Sequence, residues 1–123
     1  MGRRLLALLF SASVFSLGAP SLLAQDRAQG KKLYSMYCAN CHGESGKGDG
    51  PAAKSLPVKS ADHTNGALMN QISDKVLLEI ISKGGNAAGK SAFMPAWGGQ
   101  LKEKELLDLV AYIRSLATPG SKP

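Results

Sequence analysis

Cysteine, histidine and aromatic side chains are all scarce in this sequence, with two cysteines, two histidines, one tryptophan and an aromatic share of 6% in 123 residues. The two cysteines, Cys38 and Cys41, stand so close that a disulfide between them would close a tiny loop and restrain little of the unfolded chain. Zinc would be left short of donors, since the only imidazole away from the pair is His63. Basic residues are scattered and aromatics few, which does not suit a nucleic-acid surface. Long apolar runs are missing too: Leu5 to Leu17 falls short of the ~20 residues that span a bilayer comfortably. There is no internal repeat or low-complexity tract, and strand patterns are hard to find.

The N-terminus does carry a pattern. Arg3 and Arg4 precede the apolar run, the breakers Gly18 and Pro20 follow it, and Ser21-Leu22-Leu23-Ala24-Gln25 comes next. These are the three parts of a secretory signal, with cleavage expected after Ala24 and a periplasmic destination. Leu22 is larger than the small residue usual at its position, and an uncleaved segment would remain as an N-terminal anchor; no cysteine marks a lipoprotein cut. The expected organisation is a signal peptide over 1–24, one domain over 25–117 and a disordered tail over 118–123. Loss of Arg3 and Arg4 lowers the formal charge from +6 to +4. That surface, dominated by lysines, suits acidic protein partners.

The densest chemistry lies in CANCHGESGKGDG, Cys38 to Gly50, which holds both cysteines, His42 and four glycines. A thioredoxin-like pair would sit at a helix start after a strand, whereas Cys38 comes at the end of a helical pattern. Gly43-Glu44-Ser45-Gly46-Lys47 lacks the spacing and the hydroxyl residue of a phosphate loop. Adding His42 to the thiol pair gives CxxCH, the attachment signature of c-type haem. Two thiols three residues apart reach two vinyl groups on one porphyrin edge, and the adjacent imidazole turns under the ring to bind iron. Gly43, Gly46, Gly48 and Gly50 then let the chain wrap the haem edge.

Three helices frame the motif. Asp26 caps one that runs to about Tyr37, with Gly30, Leu33, Tyr34 and Tyr37 on one side. A second begins after Ser73, carries Val76, Leu77, Ile80 and Ile81 inward and stops at Gly84-Gly85. The last spans about Lys102 to Leu116 with an apolar stripe through Leu106, Leu109, Val110, Ile113 and Leu116. Its start is weak, because Lys102 stands where a Ser, Thr or Asp cap is expected. Gly30 costs roughly 1 kcal/mol in mid-helix against alanine, which close approach of the last helix would explain. For the sixth position on the iron the candidates are Met36, Met69, Met94 and His63. Met36 is too near Cys38 to cross the ring, Met69 reads as core and His63 as a loop residue. Met94 is favoured, in the Gly-, Pro- and aromatic-rich loop Ser91 to Gly99.

Gly30 and Tyr34 before Cys38-Ala39-Asn40-Cys41-His42-Gly43, then Gly48-Asp49-Gly50-Pro51, Met94-Pro95-Ala96-Trp97 and Leu109 to Arg114 follow one another in a known order. In this the chain resembles the monohaem class I c-type cytochromes of bacteria. The resemblance implies a small all-α cytochrome c fold whose N- and C-terminal helices cross around one covalently attached haem c, with Tyr34 and Tyr112 packed at the crossing. It implies Cys38 and Cys41 as attachment points, His42 and Met94 as axial ligands of the haem iron, and the Pro51 carbonyl as acceptor of the other imidazole proton.

The expected function is single-electron transfer as a soluble, monomeric carrier in a respiratory chain, since a thioether opposite histidine favours ferrous iron and no residue need act as acid, base or nucleophile. The chain is therefore expected not to be an enzyme, and to dock with redox proteins through lysines such as Lys31, Lys32, Lys47, Lys54 and Lys90. Two alternatives stand beside it: a haem subunit bound permanently to a dehydrogenase or reductase, and a gas-binding or peroxidatic domain with an open sixth site.

Overall fold

Asp26 starts the first helix as its sequence position suggests. Its carboxylate accepts the N–H groups of Ala28 at 2.9 Å and Gln29 at 3.0 Å, two donors that a first helical turn leaves without partners. The helix so capped, α1, spans Arg27–Tyr37 in a computed structural model that describes residues 24–118. The signal and tail expectations lie outside the described residues, apart from Ala24 and Thr118 at their edges.

After α1 the chain makes a single further turn, α2, over Ala39–His42, which Gly43 ends at φ +79°. The glycine-rich loop leads to a 3₁₀ turn at Pro51–Ser55 and then to the short α3, Gly66–Met69, capped by the Asn65 side chain. Helix α4 covers Asp74–Lys83 with the Ser73 hydroxyl accepting the Val76 N–H at 3.3 Å. A 3₁₀ turn at Asn86–Ala88 and the Met94 loop lead to α5, Glu103–Leu116. Among the described residues there is no strand, and the fold is all-α.

Helices α1 and α5 cross at Gly30. A Cβ there would lie 2.0 Å from the Asp108 carbonyl oxygen and 2.9 Å from the Tyr112 Cβ, so only glycine permits this approach. Tyr34 and Tyr112 meet edge to face beside it, with ring centroids 5.2 Å apart. Leu33, Leu106, Leu109, Val110 and Ile113 complete the buried seam, each such side chain contributing about 1.5–3 kcal/mol of burial. Asp108 is buried within it and satisfied: its carboxylate accepts the Asp26 N–H at 2.7 Å and the Lys104 ammonium at 2.6 Å.

The weak start of α5 has a remedy that Lys102 does not supply. The Lys102 N–H donates to the Glu105 carboxylate at 2.8 Å, so the third helical residue reaches back to close the end. Helix α4 differs from expectation at Val76, which is exposed. Leu77 and Ile81, one turn apart, form the line buried against the core, and Val76 sits about 100° around the helix from that line. Arg114 does more than suit a helix end. Its guanidinium donates to the Met69 carbonyl at 2.6 Å, to the Ile72 carbonyl and to the Asp74 carboxylate at 2.6 Å, tying the α3–α4 connection to α5.

Candidate functional site

The CxxCH spacing becomes geometry in α2. The N–H groups of Cys41 and His42 both point to the Cys38 carbonyl, at 3.2 and 2.9 Å, so the three residues occupy one helical turn. Positions three and four apart project from one face. Cys38 is buried, Cys41 half-buried, and their thiols are not joined. Burial pushes the Cys38 thiol up to about 12, the opposite of the activated thiolate that a redox pair requires.

His42 Nδ1 lies 3.0 Å from the Ala61 carbonyl oxygen. A carbonyl only accepts, so Nδ1 carries the proton and Nε2 keeps its lone pair for a metal. Burial holds the imidazole below its ordinary pKa, against the raising effect of the Ala61 bond, and so favours the neutral form that a metal needs. The acceptor expected by resemblance, Pro51, is not the one found. A Cβ on Gly50 would lie 2.4 Å from the carbonyl oxygens of both Ala39 and Asn40, so the chain at Gly50-Pro51 backs onto the α2 turn. The stretch 60–63 runs past His42 instead, held by the His63 N–H donating to the Gly46 carbonyl at 2.7 Å.

That same stretch places a residue whose position sequence reasoning missed. His63 is 7% exposed, its ring is stacked on His42 with centroids 4.2 Å apart and planes 18° from parallel, and its Nδ1 is hydrogen-bonded to the Tyr34 hydroxyl at 3.0 Å. Burial, with the neighbouring His42 adding to it and Asp62 opposing, lowers its pKa to about 3. The only sequence signal was a histidine in a polar setting, between Asp62 and Thr64.

Cys38, Cys41 and His42 line a cavity of about 850 Å³, whose other lining residues come from the end of α1, the α2 turn, the stretch 56–63, α3, Ile72, α4, the loop that carries Met94 and Ile113 of α5. Leu56, Leu77, Ile80, Ile81 and Trp97 make much of that lining apolar. The loop is pinned to the C-terminal end of α4: the Gly85 N–H donates to the Met94 carbonyl at 3.0 Å, and the Trp97 and Gly98 N–H groups donate to the Ile81 and Ser82 carbonyls at 2.9 Å each. Trp97 leans on Tyr37 of α1, ring centroids 5.0 Å apart, which joins this loop to the segment that leads into the cysteines. The other sulfur candidates line the cavity as well. Met36 is 65% exposed at its rim, while Met69 is buried.

These residues fit an iron porphyrin. The volume lies in the range of about 300–1,000 Å³ common to pockets for small molecules and cofactors. Two thiols and a neutral imidazole with a free Nε2 come from a single turn, and thioether sulfurs stand in the same lining.

A family model described as cytochrome c matches residues 27–117. The FixP subunit of the cbb3-type cytochrome c oxidase of Bradyrhizobium diazoefficiens is 35% identical over 99 residues, which cover 80% of this chain and 30% of that protein. The chain thus spans less than a third of that relative's length. Cytochrome c6 of a Nostoc species is 33% identical over 99 residues, covering 80% of this chain and 78% of the relative. Among solved structures, a chain of the reducing HAO-like protein complex of Kuenenia stuttgartiensis aligns with a TM-score of 0.60 at 29% identity, over 72% of this chain and 41% of its own.

Proposed function

The chain belongs to the cytochrome c family and so carries covalently bound haem c, and from that premise we propose that it is an exported single-electron carrier with His42 and Met94 as the axial ligands. When bound, the haem supplies a one-electron couple between ferrous and ferric iron. Cys38 and Cys41 would tether it through thioethers. His42, held by the Ala61 carbonyl, would bind through Nε2, and that hydrogen bond would raise the basicity of the ligand. Met94 offers the soft donor that raises the potential. No general acid or base is required. The observation that carries the reading is one cavity lined by the CxxCH turn and by a methionine on a loop tied by backbone hydrogen bonds to α4 and to Gly85 just beyond it.

The cytochrome c6 relative, matched over most of its length, supports a free carrier. The FixP relative and the HAO-like complex keep a second reading in view, a haem module that works inside a larger assembly. Copurification separates the two: a carrier leaves its partner at high salt, and a subunit stays in fixed stoichiometry.

The ligand assignment is tested at Met94. The ferric protein is expected to show the weak near-infrared sulfur-to-iron charge-transfer band. Met94→Ala abolishes the band, leaves the haem attached, lowers the potential and admits carbon monoxide. Loss of the band in Met69→Ala instead would move the assignment to Met69.

A further inference from the structure

We propose that His63, held by Tyr34, is a positioning residue that fixes the plane of the axial imidazole and thereby tunes the haem iron. The proposal rests on the reading of His42 as an axial ligand.

An imidazole bound to iron through Nε2 can rotate about the bond to the metal and tilt away from it. The Ala61 carbonyl restrains His42 at one atom, Nδ1. A single hydrogen bond tolerates a broad range of acceptor directions, so it limits the tilt of a ring only weakly. A second ring stacked on the first restrains the whole plane. His63 supplies that ring, at 4.2 Å and 18°.

The stack is effective only if His63 is itself immobile, and three features make it so. Its backbone N–H is bound to Gly46 at 2.7 Å. Its Nδ1 is bound to the hydroxyl of Tyr34, which is 1% exposed and packed against Tyr112. Its ring is also closed in, with little surface left to water. Tyr34 stands one helical turn before Cys38, so α1 both leads into the attachment site and holds the ring behind the ligand.

His63 cannot serve in the role weighed for it on sequence, as a sixth ligand across the iron from His42. Two rings stacked at this distance lie on the same side of any metal that His42 binds. A histidine here is also more than filler, since a phenylalanine would stack but would leave the buried Tyr34 hydroxyl without this partner.

Orientation of an axial imidazole sets the splitting of the ferric d orbitals, and this is read directly as the g values of the low-spin ferric haem. The experiment compares frozen-solution electron paramagnetic resonance and reduction potentials of the haem-loaded wild type with His63→Ala, His63→Phe and Tyr34→Phe. His63→Ala is expected to shift and broaden the largest g value and to move the potential, while the sulfur-to-iron band persists. His63→Phe restores a flat partner, so its g values fall closer to wild type than those of His63→Ala. Tyr34→Phe removes one oxygen atom from a ring that stays packed, and it shifts the spectrum in the same direction as His63→Ala by a smaller amount.

Should His63→Ala fail to hold haem, the other two variants still decide. Wild-type g values in Tyr34→Phe would overturn the tether, and a His63→Phe spectrum as far from wild type as that of His63→Ala would overturn the stack. Failure of the ligand reading looks different: the wild-type ferric protein itself would lack a histidine-ligated low-spin spectrum, before any variant is made.

Discussion

Gly85 and Met94 are pressed together at the end of α4: the glycine N–H donates to the methionine carbonyl at 3.0 Å, and a Cβ on Gly85 would come within 2.9 Å of the Met94 Cβ and 2.2 Å of the Ser91 carbonyl oxygen. Gly85 has the ordinary helical backbone angles φ −64° and ψ −37°, so alanine is excluded by crowding alone and not by conformation.

Gly85→Ala should therefore push the methionine loop outward. Overpacking of this kind costs about 1–3 kcal/mol, enough to weaken a bond to the metal roughly fivefold or more. The near-infrared band is expected to weaken and carbon monoxide affinity to rise, with the haem still attached. Optical titration of the ferrous variant checks this, and an unchanged affinity counts against Met94 as the ligand.

At the helix crossing, Gly30→Ala sets two effects against each other. Alanine gains about 1 kcal/mol in helix propensity. It also drives a methyl group to 2.0 Å from the Asp108 carbonyl, a backbone atom that cannot swing aside. The crowding prevails, because it acts on the buried seam between α1 and α5. Denaturant unfolding should show a net loss of about 2 kcal/mol, and a more stable variant would mean that α1 and α5 are not in this contact.

The Asp26 cap predicts a pH dependence. A hydrogen bond from the backbone N–H of Gln29 holds the carboxyl below its ordinary pKa against the opposing effect of desolvation, with lesser help from the Ala28 N–H and from the charges of Lys104 and Lys32. A depressed folded-state pKa contributes stability above the unfolded value, and that contribution disappears as pH falls through the lower folded value. Asparagine caps a helix about as well and does not titrate. Thermal melts of wild type and Asp26→Asn should run in parallel near neutral pH. Below about pH 4 the wild type should lose ground. Parallel behaviour throughout would remove Asp26 from the acid response.

Docking to an acidic redox partner should be steered by lysines at the haem edge. Of the lysines expected to contribute, Lys90 borders the cavity, as does Lys59, which was not among them. The association rate should fall as salt rises, since the screening length shortens to ~10 Å at 0.1 M. Lys59→Glu and Lys90→Glu should each slow association and flatten the salt dependence in stopped-flow measurements. A rate indifferent to salt leaves these lysines as solvated surface.

What the sequence made legible was local. The Asp26 cap, the extent of α1, the stripe of α5 and the projection of Cys38, Cys41 and His42 from one turn all follow from relations within a few residues. Gly30 was legible because a glycine in mid-helix demands a reason. The Ala61 carbonyl was not, since a backbone oxygen has no signature in residue type and its place depends on where a glycine-rich loop turns. His63 was hidden in the same way. Its stack on His42 depends on a backbone pairing with Gly46, 17 residues back along the chain, which no periodicity announces. Gly85 read as a helix stop, and its contact with Met94 emerged only when the loop folded back on α4.

The crossing at Gly30 also bears on the order of folding. Gly30 and Asp108 touch across 78 residues of chain, and closing so long a loop is entropically unfavourable before any contact rewards it. The cysteines stand at the end of α1, so haem joined there, as proposed, would present two broad apolar faces to the segments of 56–97 as they arrive. One long closure would become several short ones around a fixed template. Covalent attachment would then precede the docking of α5, and the cofactor would act as a template on which the chain condenses.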